Sequence, residues 1–155
     1  MMAAADLMIR EVISVRPDSS IKDLLLLFSN HKVSGVPVLD QDRHLVGMVT
    51  VGDVIRHMQP HFAYTVDLFT FVTFYVEQET LPEIVKQLIA QPVSTIMTKR
   101  HLATVEQDTD IERVLAIFAE QRFKKLPVKD GHERVVGVIS RGELVRYIVS
   151  QLLQE

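Results

Sequence analysis

The heptapeptide GMVTVGD, residues 47–53, recurs as GVISRGE at residues 137–143. Each copy follows an apolar triplet with a central proline, VPV at 36–38 and LPV at 126–128. One offset of 90 residues relates the two copies, since Pro37 corresponds to Pro127. The chain of 155 residues therefore contains an internal duplication.

The two copies are predicted to share one local order, β-α-β-β-α. In the first copy we expect strand 13–15, helix 19–30, strand 35–39, strand 44–49 and a helix from Val51 that Pro60 ends. In the second we expect strand 103–105, helix 109–121, strand 126–129, strand 134–139 and a helix from Arg141 towards Leu153. A copy of about 50–60 residues buries too little surface alone, so we predict one α/β (α+β) fold with a shared core.

Composition excludes several classes of protein. The net charge of −3 and the pI of about 6.1 argue against binding to nucleic acid, for which a strongly basic face is usual. The longest apolar run, Leu24 to Phe28, is too short to cross a bilayer, so no membrane partner is expected. The chain has no cysteine, and its first residues lack the pattern of a secretory signal, so we expect a cytoplasmic protein.

An insert at 59–92 has no counterpart elsewhere in the chain. It contains six of the ten aromatic residues: Phe62, Tyr64, Phe69, Phe71, Phe74 and Tyr75. Their β-branched and aromatic neighbours favour strand, but the length also permits helix. The aromatic side chains either pack on the repeats or form a surface for self-association. Thr80 to Glu83 then predicts a capping box for a short helix whose buried stripe is Ile84, Val85, Leu88 and Ile89.

The heptapeptide connects a buried strand to a helix, and that connection suits a phosphorylated ligand. Helix N-termini attract anions, and the Thr50 hydroxyl adds a donor. Gly52 leaves room for a ligand, and the Asp53 carboxylate is able to accept both hydroxyls of a ribose diol. The competing interpretation is a capping box, which fits Ser140 and Glu143 better because Glu is usual at the third helical position. We therefore favour the first copy as the ligand site.

These residues resemble a known family, the paired cystathionine β-synthase (CBS) domains of the tandem arrangement called a Bateman module. The resemblance covers a first repeat at 6–58 and a second at 93–150, through the proline triplets and the two heptapeptides. It implies two repeats with pseudo-two-fold symmetry and a regulatory, non-catalytic module. It also implies clefts between the repeats for AMP, ADP, ATP or S-adenosylmethionine, with no cofactor required.

The resemblance also implies which residues form each cleft. The favoured site combines Thr50 and Asp53 with Ala103, Lys124 and Lys125. A weaker second site combines Ser140 and Glu143 with Ile13, Ser34 and Gly35, because Glu143 is one methylene longer than Asp and no lysine pair accompanies it. Adjacent lysines of an extended segment point to opposite sides, so we expect one of the two to face a phosphate. Alternatively, Arg122, Lys124 and Lys125 form a solvated edge.

Other functions compete with ligand sensing. Asp53, His57 and His61 recur every four residues, as metal ligands on one helix face would, but Pro60 should interrupt that helix. A structural or interaction module without a small-molecule ligand is the main alternative. The resemblance implies a homodimer shaped as a flat disc. The output of ligand binding would be a protein effector, a change of oligomeric state, or none. The stripe Val145, Ile148, Val149 and Leu152 of the last helix faces either the chain's own core or a second subunit.

Overall fold

The computed structural model describes residues 2–59, 62–66, 73–77, 80–120 and 124–154. The first half contains α1 (Ala4–Leu7), α2 (Ile21–His31), β1 (Gly35–Leu39), β2 (Leu45–Thr50) and α3 (Val51–His57). The insert contains β3 (Phe62–Val66), β4 (Thr73–Glu77) and α4 (Leu81–Ile89), followed by a 3₁₀ turn at Val93–Thr95. The second half contains β5 (Val105–Glu106), α5 (Ile111–Glu120), β6 (Lys125–Lys129), β7 (Val135–Ser140) and α6 (Arg141–Leu153). The predicted order of elements is confirmed in the second repeat, and in the first repeat its opening strand is reduced to a single bridge at Val15.

Each repeat has a small sheet in which the middle strand carries the proline triplet. β1 and β2 are antiparallel, as are β6 and β7, and β5 runs parallel to β6. The predicted strand 13–15 is too long, because only Val15 forms a bridge, to Val38. Extending it back to Ile13 would require an amide hydrogen from Pro37, which proline lacks. The same reason places β5 at Val105–Glu106, later than the predicted 103–105.

Polar residues set where the helices begin. The Ser20 hydroxyl accepts a hydrogen bond from the Asp23 amide at 3.1 Å, and the Asp110 carboxylate accepts one from the Arg113 amide at 2.9 Å. The predicted starts at 19 and 109 are therefore two residues early, because these residues cap the helices from outside. α3 ends at His57, and Pro60, which we expected to end it, lies outside the described residues.

The insert begins with an antiparallel β-hairpin, which decides between the two backbone conformations that its sequence allows. Phe62 pairs with Glu77 and Val66 with Thr73. Phe69 and Phe71 lie outside the described residues, and the role of the aromatic residues stays a prediction. α4 begins as predicted after Thr80, whose amide donates to a Glu83 carboxylate oxygen at 3.3 Å. Of its predicted stripe Ile84 and Leu88 are buried, whereas Val85 and Ile89 are partly exposed.

Each repeat packs against the segment at the start of the other repeat. Residues 3–9, which we call the N-terminal arm, place Ala4, Leu7 and Met8 in the core of the second repeat. Residues 92–98, the linker arm, place Val93 and Ile96 in the core of the first. The two cores are therefore completed by exchange.

Equivalent hydrogen bonds hold the two arms in place. The Ala4 amide donates to the Thr109 carbonyl at 2.7 Å, and the Val93 amide donates to the Ser19 carbonyl at 2.8 Å. Farther along, Ile9 forms a bridge with Val138, and Thr98 forms one with Met48. The acceptors Ser19 and Thr109 are 90 residues apart, so the two arms bind at equivalent positions of the two repeats.

The two repeats meet at a pair of equivalent residues, one from each copy. His44 and Arg134 form an antiparallel bridge, and their numbers differ by the same 90 residues that separate the copies. A pair of equivalent residues that bridge each other lies on a local two-fold axis. The predicted pseudo-two-fold packing is therefore present at this junction, where Arg43 also donates from Nε and Nη2 to the Val135 carbonyl at 3.3 and 3.2 Å.

Candidate nucleotide-binding clefts

A cleft of about 290 Å³ opens between the repeats. Its wall from the first repeat begins with Ser34, whose carbonyl accepts a hydrogen bond from the Val51 amide at 2.9 Å. The full lining consists of Ser34, Gly35, Met48, Thr50, Val51, Gly52, Lys124 and Lys125. We call it the large cleft, to distinguish it from a smaller cleft that shares Lys125 with it. The large cleft brings together Thr50 and both lysines of the favoured site, and it adds Ser34 and Gly35, which we had assigned to the second site.

A second, smaller cleft has a volume of about 120 Å³. It contains Ser140 and Ile13, as assigned to the second site, and Lys125 lines it as well. Its full lining is Ile9, Glu11, Ile13, Val33, Pro37, Lys125, Val138 and Ser140. Lys125 is thus shared by both clefts.

The Asp53 carboxylate is engaged within its own helix. The amide and hydroxyl of Thr50 donate to its Oδ2 at 2.8 and 3.1 Å, and Arg56 Nη2 donates to its Oδ1. The Asp53 amide in turn donates to the Thr50 hydroxyl oxygen at 3.2 Å, which completes a capping box. The Asp53 side chain is 8% exposed. The carboxylate that we assigned to a ribose diol therefore acts here as a helix cap.

The equivalent turn of the second repeat is capped less completely, which reverses our expectation. The Glu143 amide donates to the Ser140 hydroxyl oxygen at 3.3 Å. The Glu143 carboxylate, however, pairs with Arg146 and is 30% exposed. The shorter Asp53 side chain keeps its carboxylate beside the helix N-terminus, whereas the longer Glu143 side chain reaches along the helix surface. Asp at the third helical position thus forms the reciprocal box that we had expected of Glu.

Three assigned residues line neither cleft: Asp53, whose carboxylate is engaged in the helix cap, Ala103 and Glu143. Ala103 packs against the core of the second repeat, and Glu143 is held by Arg146. Sequence reasoning in turn missed Met48, which lines the large cleft. Period-two alternation along β2 would have found it, because Met48 and Thr50 lie on the same face of the strand.

Both lysines line the large cleft, and the expectation that one of them faces a phosphate stays a prediction. The strand begins only at Lys125, so Lys124 precedes it in a bend where strand alternation does not apply. Within the described ranges, neither ammonium group has a hydrogen-bond or ion-pair partner. Lys124 is exposed, whereas Lys125 is half-buried, and desolvation lowers its pKa from the ordinary value of 10.5. The large cleft thus carries two cations without compensating anions from the described residues.

The metal interpretation gains no support from the geometry. His57 Nδ1 lies 2.8 Å from the Asp53 carbonyl oxygen, and His61 lies outside the described residues. Across the described ranges, no three His, Cys, Asp or Glu side chains are grouped as a metal ion would require. Within these ranges, no helix has the length and apolarity needed to cross a membrane.

The two repeats, with proline-bearing middle strands and clefts between them, match one family. The family model described as "CBS domain" matches residues 4–60 and 93–150. The chain belongs to the CBS domain family. Its two matched segments make it a tandem CBS pair, as the duplicated heptapeptide predicts.

Several proteins resemble this CBS pair along most of its length. An uncharacterized protein of Methanocaldococcus jannaschii is 25% identical, with 96% of the present chain and 92% of that protein covered. The chloroplastic CBS domain-containing protein CBSX2 of Arabidopsis thaliana is 30% identical over 85% of the chain and 56% of its own length. Inosine-5'-monophosphate dehydrogenase of Aquifex aeolicus is 27% identical, and the match covers 90% of the chain but only 23% of that enzyme.

Solved structures show the same CBS-pair architecture. The crystal structure of CBSX2 superposes with a TM-score of 0.74 at 27% identity, covering 99% of this chain and 97% of that one. CBSX2 in complex with AMP gives a TM-score of 0.72 at 26% identity, covering 97% and 98%. The fold of the pair is therefore that of known CBS-pair proteins.

Proposed function

We propose that this CBS pair is a non-catalytic regulatory module that binds an adenosine-containing nucleotide in the large cleft. The candidates are AMP, ADP, ATP and S-adenosylmethionine. The observation that carries the proposal is the half-buried Lys125, which lines the cleft together with Lys124 and Thr50.

A phosphate group would compensate these charges. A buried charge without a partner is costly, and desolvation already lowers the pKa of Lys125. Charge-assisted hydrogen bonds to phosphate oxygens are stronger than bonds between neutral groups. We therefore place the phosphate end of the nucleotide at Lys124 and Lys125.

The rest of the large cleft suits a nucleoside. Met48 and Val51 provide apolar surface for the base or sugar, and Gly52 leaves space beside Thr50. The volume of about 290 Å³ is at the lower end of the range for small-molecule sites, roughly 300–1,000 Å³. The complex of CBSX2 with AMP supports an adenosine ligand for this chain as well.

Asp53 is expected to change partners on binding. A ribose diol would have to replace the Thr50 amide and hydroxyl at Asp53 Oδ2. Ligand binding and capping of α3 then compete, so binding alters the first turn of that helix. Such a change transmits a signal only to the extent that the ligand binds one arrangement more tightly.

Calorimetric titration of nucleotide-stripped protein tests the proposal. We expect saturable binding of at least one ligand among AMP, ADP, ATP and S-adenosylmethionine. Lys124→Gln and Lys125→Met should each weaken binding by about ten- to a hundredfold, the value of a charged hydrogen bond. Lys86→Met is the matched control, because Lys86 is exposed on α4 and lines neither cleft. No binding across the panel would favour an interaction module without a ligand.

We also propose that a second copy of the chain covers the outer face of α6. Leu144 of this helix is buried at 5% exposure, while its predicted stripe faces outward, with Val145 57%, Ile148 37%, Val149 46% and Leu152 65% exposed. The stripe therefore does not pack on the core of its own repeat. Light scattering should give the mass of a dimer, and Val149→Glu with Leu152→Glu should reduce it to that of a monomer. A monomeric parent protein would contradict this, and a protein effector would then be the candidate for that face.

A further inference from the structure

The two clefts differ most at one pair of equivalent positions. Gly35 and Lys125 are 90 residues apart and are the first residues of β1 and β6. In register, Gly35 lies opposite Thr50, and Lys125 lies opposite Ser140. In the large cleft, Thr50 therefore lies opposite a residue without a side chain. In the small cleft, Ser140 lies opposite a residue with a long side chain.

The absence of a side chain at residue 35 keeps the large cleft open. A β-carbon added there would lie 3.2 Å from Thr50 Cγ2, closer than most contacts of real side chains. Residue 35 therefore leaves the face of Thr50 free for a ligand.

A lysine at residue 125 has the opposite effect on the small cleft. Directly opposed side chains of an antiparallel pair lie close together, so the four-carbon stem of Lys125 runs beside Ser140. The cleft that remains has about 120 Å³, against about 290 Å³ for its counterpart. Glu11 also lines the small cleft and would face the phosphate of any nucleotide there.

We propose that Lys125 closes the small cleft with its aliphatic stem while its ammonium group serves the large cleft, so that each chain binds one nucleotide instead of two. This inference rests on the proposed function. Lys125 is then a specificity-determining residue, and the Gly35–Lys125 pair sets the stoichiometry of the module.

Two substitutions at residue 125 separate its volume from its charge. Lys125→Gly makes the position identical to its counterpart and removes the stem. We expect the number of AMP molecules bound per chain, measured by calorimetry, to rise from one to two, with weaker binding at the original cleft. Lys125→Met keeps a long apolar stem and removes the charge, so the number should stay at one while affinity falls by about ten- to a hundredfold.

Lys125→Ala is the second opening variant, because glycine in a strand destabilises by roughly 0.5–1 kcal/mol relative to alanine. Circular dichroism establishes that each variant is folded. Two molecules per wild-type chain, or one per chain in both folded opening variants, would overturn the inference and leave the proposed function intact. If the wild-type chain does not bind AMP but binds one ATP per chain, the same comparison of variants is made with ATP. Absence of binding by every nucleotide refutes the proposed function and the inference with it.

Discussion

Met8 lies directly against Gly137, so that a β-carbon added at residue 137 would be 2.7 Å from Met8 Cγ and 2.9 Å from Met8 Cβ. The equivalent pair in the first repeat is Met97 and Gly47, where the added carbon would be 2.6 Å from Met97 Sδ and 3.1 Å from the Thr98 carbonyl oxygen. Both glycines begin a heptapeptide, and both methionines belong to an arm. The first residue of the repeated motif therefore provides the space into which the arm packs.

Gly137→Ala should destabilise the protein by about 1–3 kcal/mol, the usual cost of overpacking. Denaturant unfolding measures this loss. The control is Gly142→Ala in α6, where an added β-carbon would be 3.8 Å from Ser140 Oγ and no closer to any other atom outside its own helix turn. That substitution should be neutral or stabilising by up to about 1 kcal/mol. In the double variant Met8→Ala with Gly137→Ala the two losses should be less than additive, and simple additivity would argue against the contact.

Asp53→Ala should destabilise the nucleotide-free protein by about 1–2 kcal/mol, because it removes the carboxylate oxygen that accepts from the Thr50 amide and hydroxyl and leaves Arg56 without its partner. Glu143→Ala is the matched substitution in the second repeat. It should cost less than about 0.5 kcal/mol, since the Glu143 carboxylate is part of a surface ion pair. Thermal unfolding without ligand compares them, and equal losses would contradict the structural difference between the two caps.

Lys125→Met should stabilise the nucleotide-free protein at neutral pH, because it removes a half-buried charge without a partner among the described residues. Folding lowers the pKa of Lys125, so between that lowered value and 10.5 the unfolded chain binds more protons than the folded one. The stability of the wild type therefore rises relative to that of the variant as pH increases through this window. Unfolding measured at a series of pH values should show that the variant is more stable than the wild type at neutral pH and that this difference in stability disappears in strong alkali. A difference in stability that stays constant with pH would exclude titration of Lys125 as its cause.

Leu7→Ala should destabilise the second repeat although Leu7 belongs to the N-terminal arm. Leu7 is 8% exposed and packs in the second core, where truncation to alanine costs about 2–5 kcal/mol. Hydrogen exchange should therefore accelerate in β6 and β7 before β1 and β2. Ile96→Ala, at 6% exposure in the first core, is the matched control and should accelerate exchange in β1 and β2 first. Identical exchange patterns in the two variants would contradict the exchange of arms.

The sequence was sufficient to predict the repeat architecture, because the signals for it are local. The proline triplets, the apolar stripes and the constant offset each constrain a few neighbouring residues, and the strands β1 and β6 lie within one residue of their predicted bounds. The clefts were predicted only in part. Thr50 and the two lysines meet as expected, but the partners of Asp53 depend on whether its carboxylate turns towards its own helix or towards a ligand.

The exchange of arms was not predictable in this way. Residues 4–8 are a short apolar segment that suits either of two nearly equivalent surfaces, and only the relative position of the repeats selects one. Likewise, the sharing of Lys125 by two clefts depends on the three-dimensional packing of β6, which periodicity does not encode. Long-range packing, unlike local propensity, leaves little trace in the spacing of residues.

The exchanged arms have a consequence for the integrity of the chain. A protease cut within 67–72, between the two strands of the hairpin, would leave one fragment with the first repeat and the arm of the second, and another fragment with the second repeat and the linker arm of the first. Each fragment would hold the missing part of the other's core. The nicked protein should therefore migrate as one species under native conditions, and the two separately produced fragments should fold when they are mixed.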